Sequence, residues 1–240
     1  TKKELTGVPL IKAISPTLIV RGVSLLVLAL SLGVLWLLEP DSAGSLWEMK
    51  GLILAVPSLL VFALTIRPVF RWVHRATFAR YWLFPDLDGE WEGELHSNWP
   101  RIRAMMEAAR GDRPAFDALS SDLPDGLPSE PVRLSATITS GLLDFKIVMR
   151  MSPTRRSYTV FVKPAWCKPS APRLYYLYEQ TEVGAIETSD ISEHRGAAYL
   201  DYDPDLDTLH GRYWTERFAD RGLNTAGRLI LRRAARVSRA

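Results

Sequence analysis

The 240-residue chain is poor in the side chains that do chemistry. It holds one cysteine, Cys167, which excludes an internal disulfide and fits a reducing compartment. Its four histidines, His74, His96, His194 and His210, are scattered. No Cys/His group has metal-ligand spacing, so neither a metal nor a cofactor is expected. There is no Ser/His/Asp set, no glycine-rich phosphate loop before a helix and no convincing pair of carboxylates, so no catalytic residue is expected and an enzyme reading has no support. Strong net charge is missing too. The total is +3 with a pI near 9.0, yet residues 1–86 carry nine Lys/Arg against five Asp/Glu, a net +4, and the remainder carries 21 against 22, a net −1. The basic bias belongs to the N-terminal end, and charge gives no reason to expect DNA or RNA as a partner. The basic tail, Arg228, Arg232, Arg233, Arg236 and Arg239, reads either as a lipid contact or as a solvated terminus.

What the chain does have is two apolar runs, 22–38 and 51–66, a dozen residues apart. A membrane-spanning helix needs roughly 20 mostly apolar residues to cross about 30 Å of hydrocarbon. Extended at their ends, the runs predict spans over about 17–38 and 48–68, a transmembrane helical hairpin within a first domain of residues 1–80. Trp36, Trp47, Trp72, Tyr81 and Trp82 lie where headgroups would be. Buried core helices and a cleaved signal peptide are the other readings; the near absence of charge on any face and the immediate second run speak against them. Lys2, Lys3, Lys12 and Arg21 precede the first span and Arg67, Arg71, Arg75 and Arg80 follow the second, whereas the intervening loop holds Glu39, Asp41 and Glu48 against Lys50. Positive charge stays inside, which predicts both termini in the cytoplasm. Arg21 is most simply a snorkelling anchor. Pro57 is expected to bend the second helix, and Ala29, Gly33, Gly51 and Ala55 are small residues at a spacing that lets helices approach closely in a bilayer.

From residue 87 the period changes. Trp91, Gly93 and Leu95 alternate with Glu90, Glu92 and Glu94, the two-residue rhythm of a half-buried strand. Further β-rich stretches occur at 132–140, 142–151, 157–164, 173–181, 195–203, 208–217 and 225–232. Eight short antiparallel strands without long intervening helices predict, for a second domain of residues 81–240, an all-β up-and-down barrel with an interior able to hold one small ligand. A two-sheet sandwich is the alternative. An insertion at 98–131 interrupts the pattern, with a helix expected over 101–110 and another around 114–119, forming either a cap over one barrel end or a surface excursion.

The strands are rich in aromatic residues, among them Trp91, Tyr158, Tyr178, Tyr213 and Trp214, with Lys146, Arg150, Lys163 and Arg217 nearby. Rings stack on bases and fixed cations hold phosphates, so this inventory suits a nucleotide-type ligand. Residue by residue, the core and rim of any barrel is the simpler reading.

The stretch Leu87-Asp88-Gly89-Glu90-Trp91-Glu92-Gly93-Glu94-Leu95 behind a two-span hairpin resembles the barrel entry of the two-transmembrane β-barrel effectors of CBASS, the cyclic-oligonucleotide anti-phage signalling systems of bacteria. His194-Arg195-Gly196-Ala197-Ala198-Tyr199-Leu200, then Leu209-His210-Gly211-Arg212-Tyr213-Trp214-Thr215-Glu216-Arg217 and Gly227-Arg228-Leu229-Ile230-Leu231, are similar to that family's later strands. The resemblance implies a bacterial inner-membrane effector whose cytoplasmic barrel binds a cyclic dinucleotide made by a neighbouring cyclase. Self-association into homo-oligomers and disruption of the lipid bilayer would follow. The implied ligand residues are Trp91, Tyr158, Tyr178, Tyr213, Thr215 and Arg217. Trp91 and Tyr213 would stack or merely fill the lumen, Thr215 would offer its hydroxyl to the ligand or to a backbone carbonyl, and Arg217 would meet a phosphate or form an internal salt bridge to a carboxylate such as Asp201. A membrane-anchored carrier or scaffold for an apolar ligand or a protein partner is the alternative function.

Overall fold

The computed structural model describes residues 16–38, 55–77, 84–119, 122–123, 127, 130–142, 145–166, 172–183 and 191–234. Two compact units divide the chain: one takes the helices up to Asp86 together with Ser140–Phe145, the other runs Leu87–Thr139 and Lys146–Ala240.

Eight antiparallel strands close into a barrel in chain order, as the alternation predicts. They are β1 (Gly89–Ser97), β2 (Val132–Ser140), β3 (Phe145–Arg150), β4 (Arg155–Trp166), β5 (Pro172–Glu182), β6 (Glu193–Asp203), β7 (Thr208–Thr215) and β8 (Ala226–Arg233). Pairing of β1 with β8, Trp91 opposite Arg233 and Ser97 opposite Gly227, closes the cylinder. Sequence alternation becomes radial direction: in β1 Trp91 is buried while Glu90, Glu92 and Glu94 are exposed. A bulge between Thr159 and Phe161 shifts the inward parity of β4 from Ser157 and Thr159 to Val162.

The barrel's middle layers are packed. Ile138, Leu174, Leu200, Leu209, Leu229 and Leu231 are all fully buried. An eight-stranded barrel is only wide enough for its own side chains when the inward positions carry bulky residues, as these do. Space for a ligand has to be sought at the ends or outside.

At the end of β1 the insertion begins. The first expected helix forms as Trp99–Arg110, here α4, with Pro100 in its first turn and Gly111 in the left-handed conformation at its C-terminus (φ 81°). Arg103 and Arg113 clasp Glu107 at 2.8 and 2.6 Å and hold its carboxyl below the usual range, Arg113 contributing most. The second expected helix does not form over 114–119. Asp117 Oδ1 accepts the Leu119 N–H instead (2.9 Å), a local bond that competes with helix.

In the helical unit, α1 covers Pro16–Leu38, 23 residues, and α2 covers Ala55–Ala63. The chain then turns by 88° into α3, Arg67–Ala76. A bend sits at 64–66: Thr65 donates both its N–H and its hydroxyl to the Phe62 carbonyl, and Ile66 caps α3 in an extended conformation; whether Pro57 bends the helix expected to begin at 48 turns on residues 48–54, outside the described residues. Among the described residues no single helix is a clear membrane span; α2 and α3 pass on length and composition only when taken together, across their bend. The helical unit nonetheless exposes large apolar side chains, Leu25 at 66%, Trp36 at 78% and Phe62 among them. Its last turn is fastened to the segment that follows: His74 Nε2–H donates to the Phe84 carbonyl at 2.7 Å and Arg75 pairs with Asp86 at 2.7 Å.

Candidate functional site

Barrel topology sorts the anticipated ligand residues into three places. At the entry end, where β1 begins, Trp91 is fully buried. Its indole N–H donates to the Leu87 carbonyl (3.0 Å) and the Arg233 guanidinium lies 4.4 Å from its ring centroid. Arg233 in turn donates to Asp207 Oδ2 at 2.6 Å and to the Asp88 carbonyl at 2.9 Å, while the Tyr202 hydroxyl donates to Asp207 Oδ1. Trp91 is therefore a plug whose indole N–H and ring are already engaged.

Tyr158 has the opposite parity from the buried Ser157 and Thr159, which puts it on the outer face of β4 between Val148 and Glu179. It does not join the other anticipated residues.

The far end, where β1, β5 and β7 finish and β6 and β8 start, gathers the rest. Across the β5–β6–β7 ladder Tyr178 lies opposite Gly196, which lies opposite Thr215. One step outward, Gln180 faces His194. One glycine makes room for a ring: a Cβ on Gly196 would run into the Tyr178 ring, whereas one on Gly227, opposite Tyr213, would first strike the His96 carbonyl of β1. Tyr176 packs behind Tyr178 with centroids 5.6 Å apart. Ser97, which also accepts the N–H of Trp99 at the start of α4 (3.1 Å), hydrogen-bonds the Tyr213 phenol.

Arg217 was expected to continue the face of β7. The strand ends at Thr215, because Phe218 takes a left-handed conformation (φ 46°) and the chain coils into a short turn at Ala219–Arg221. Even so, the Arg217 charge is felt by Tyr178, His194 and Tyr213 alike. Its anticipated internal partner is otherwise engaged: Asp201 receives a two-pronged bond from Arg173 at 2.6 and 2.8 Å. Thr215 is engaged too. Its Oγ1 lies 2.9 Å from Thr225 Oγ1 and accepts the Thr225 N–H at 3.2 Å, so the hydroxyl closes the β7–β8 connection, the structural one of its two anticipated roles.

This end combines buried phenols and an imidazole with the ion pair of Arg155 and Glu182 (2.6 Å) and with Arg217. Burial raises the Tyr178 and Tyr213 phenols above their usual range, with Arg217 pulling the other way. His194, 4% exposed, is pushed down to about 4, first by burial and then by the Arg217 and Arg155 guanidinium groups, against Glu182. At neutral pH it is an uncharged imidazole, and its Nδ1 has no hydrogen-bond partner among the described residues. A buried polar atom left so costs about 1–3 kcal/mol until something supplies the bond. His194, Gln180 and Gly196 were missed as site residues; the alternation of His194, Gly196, Ala198 and Leu200 along one face was the available signal.

A separate cleft of about 790 Å³ lies against the outer face of β8, β1 and β2, between Glu92, Glu94, Arg133, Arg150 and Arg232. With Arg233, its lining sets four arginines against two glutamates. Comparison with known proteins adds no assignment: no protein-family model matches the chain, and no curated protein matches it.

Proposed function

We propose that the chain is a membrane-tethered receptor whose barrel takes an anionic, base-bearing ligand at its far end, a cyclic dinucleotide in the reading that the resemblance suggests. One observation carries this: a buried His194, whose Nδ1 has no hydrogen-bond partner among the described residues, shares one barrel end with Tyr178, lodged against Gly196, and with Tyr213, just ahead of Arg217 at the end of β7. A guanidinium binds phosphate, rings take the faces of bases, and a neutral imidazole reads a base edge or a ribose hydroxyl. A carrier holding an apolar ligand in the barrel is less well supported, since aliphatic side chains already fill the middle layers.

The exposed apolar surface of α1 and α2 favours a bilayer around the helices, with both termini in the cytoplasm by the distribution of Lys and Arg. Binding then raises the population of an associating state, which requires the ligand to prefer that state. Two helices enclose no water path, so disruption of a bacterial inner membrane takes several hairpins side by side. The test uses detergent-solubilised full-length protein. A panel of cyclic dinucleotides is titrated by calorimetry and assembly size is followed by analytical ultracentrifugation. The reading requires binding of at least one member together with ligand-dependent growth in size and leakage of reconstituted vesicles; leakage by ligand-free monomer, or binding only of acyl lipids, overturns it. A reporter at Ser45 is expected outside the cytoplasm and one at Ala240 inside.

A further inference from the structure

We infer that α3 is an interfacial helix that lies in the headgroup layer of an anionic phospholipid surface, with Trp72 inserted and Arg67 and Arg71 directed to the phosphates. The inference rests on the membrane reading of α1 and α2 and adds the lipid class and the segment that recognises it. Geometry comes first. After the apolar α2 the chain turns by 88°, so when α2 stands along a bilayer normal α3 runs in the bilayer plane.

The faces of α3 then fall in the right order. At 100° per residue the buried Phe70 and His74 mark one edge, and Trp72, 72% exposed, lies almost diametrically opposite. Arg67, Arg71 and Arg75 recur every fourth residue in a stripe that starts next to His74 and runs toward the Trp72 side; with Pro68, Trp72 and Ala76 they line one concave surface. The basic stripe thus lies between the buried edge and the exposed indole. A basic stripe with an adjoining tryptophan is complementary to a layer of phosphates over acyl chains. His74 and Arg75 fasten the helix to Phe84 and Asp86, which fixes the roll that presents this face.

The experiment uses full-length protein in a Cys167→Ser background, with single nitroxide labels at Trp72→Cys or Leu28→Cys. The protein is reconstituted at about one copy per vesicle, in phosphatidylcholine alone or with phosphatidylglycerol. Collision with dissolved oxygen and with an aqueous nickel chelate gives the depth of each label. The label at 72 is expected at headgroup depth in the phosphatidylglycerol vesicles and nearer water in phosphatidylcholine. Arg67→Gln and Arg71→Gln are each expected to weaken the headgroup-bound population about fivefold. If the label at 28 reports hydrocarbon while that at 72 reports water in both vesicles, α3 is not interfacial and the membrane reading survives. If the label at 28 reports water, both fall. Equal depth in the two lipids overturns the phosphate contacts.

Discussion

The two ends of the barrel use the same ingredients and arrive at opposite states. Each sets an arginine among buried aromatic residues. At the entry end Arg233 stacks on Trp91 and is bonded to Asp207 and the Asp88 carbonyl, so charge, ring and indole N–H are matched from within. At the far end the Arg217 charge falls on groups that stay neutral, Tyr178, Tyr213 and His194, and the last of these keeps a buried nitrogen without a bond among the described residues. Composition alone would rank the ends equally. What separates them is the buried His194 Nδ1, which has no hydrogen-bond partner among the described residues, and an end that keeps such an atom is the better place for a ligand.

Substitutions at the matched end should act on stability alone. Trp91→Ala empties a fully buried site and is expected to cost about 3–5 kcal/mol, read as a lower denaturant midpoint by circular dichroism. A loss below about 1 kcal/mol would show that the entry end is not a plug. The next largest effect is a pH dependence located at the other end. The folded His194 has a pKa of about 4 against about 6.5 when unfolded, so between these values the unfolded chain binds the proton and the folded one does not. Stability is full above about 6.5 and declines as pH falls toward 4, by on the order of 2–3 kcal/mol. His194→Gln should flatten that slope, and an unchanged slope would place the titration elsewhere.

Arg217→Ala should move binding rather than folding. Removing a charge-assisted bond to phosphate costs about 1.5–3 kcal/mol, some 10- to 150-fold in affinity by calorimetry. Unaltered affinity would make the two ends alike after all. The smallest effect is expected from Thr215→Val, which loses hydrogen bonds to Thr225 worth about 1 kcal/mol of stability and leaves ligand affinity unchanged.

The barrel was legible because its signal is periodic. Glu90, Glu92 and Glu94 against Trp91 and Gly93 declare two faces, and the same rhythm places all eight strands. Features that depend on one residue escaping the rhythm were not legible. The bulge after Thr159 reverses the parity of β4, and Phe218 stops β7 two residues early by entering a left-handed conformation that nothing in a Phe side chain announces. Asp117 spends its carboxylate on its own backbone and so cancels a helix that composition favours. At the site, Tyr178, Tyr213 and the neighbourhood of Arg217 follow from inward parity, whereas the commitment of Asp201 to Arg173 and of Thr215 to Thr225 depends on three-dimensional partners. The bend at 64–66 lies within the expected second span and was not legible, because Pro68, which fits the first turn of a new helix, reads equally as the end of an apolar run.

Closure of β1 onto β8 also limits how copies of this chain can meet. A sheet that joins itself offers no row of unspent backbone N–H and C=O groups, so neither strand addition nor fibril-like stacking is open to the folded barrel. Any higher-order particle must therefore be built from side-chain surfaces and helices. Such joints come apart when the agent that promotes them is diluted, which would give a complex of this kind an off-state without unfolding.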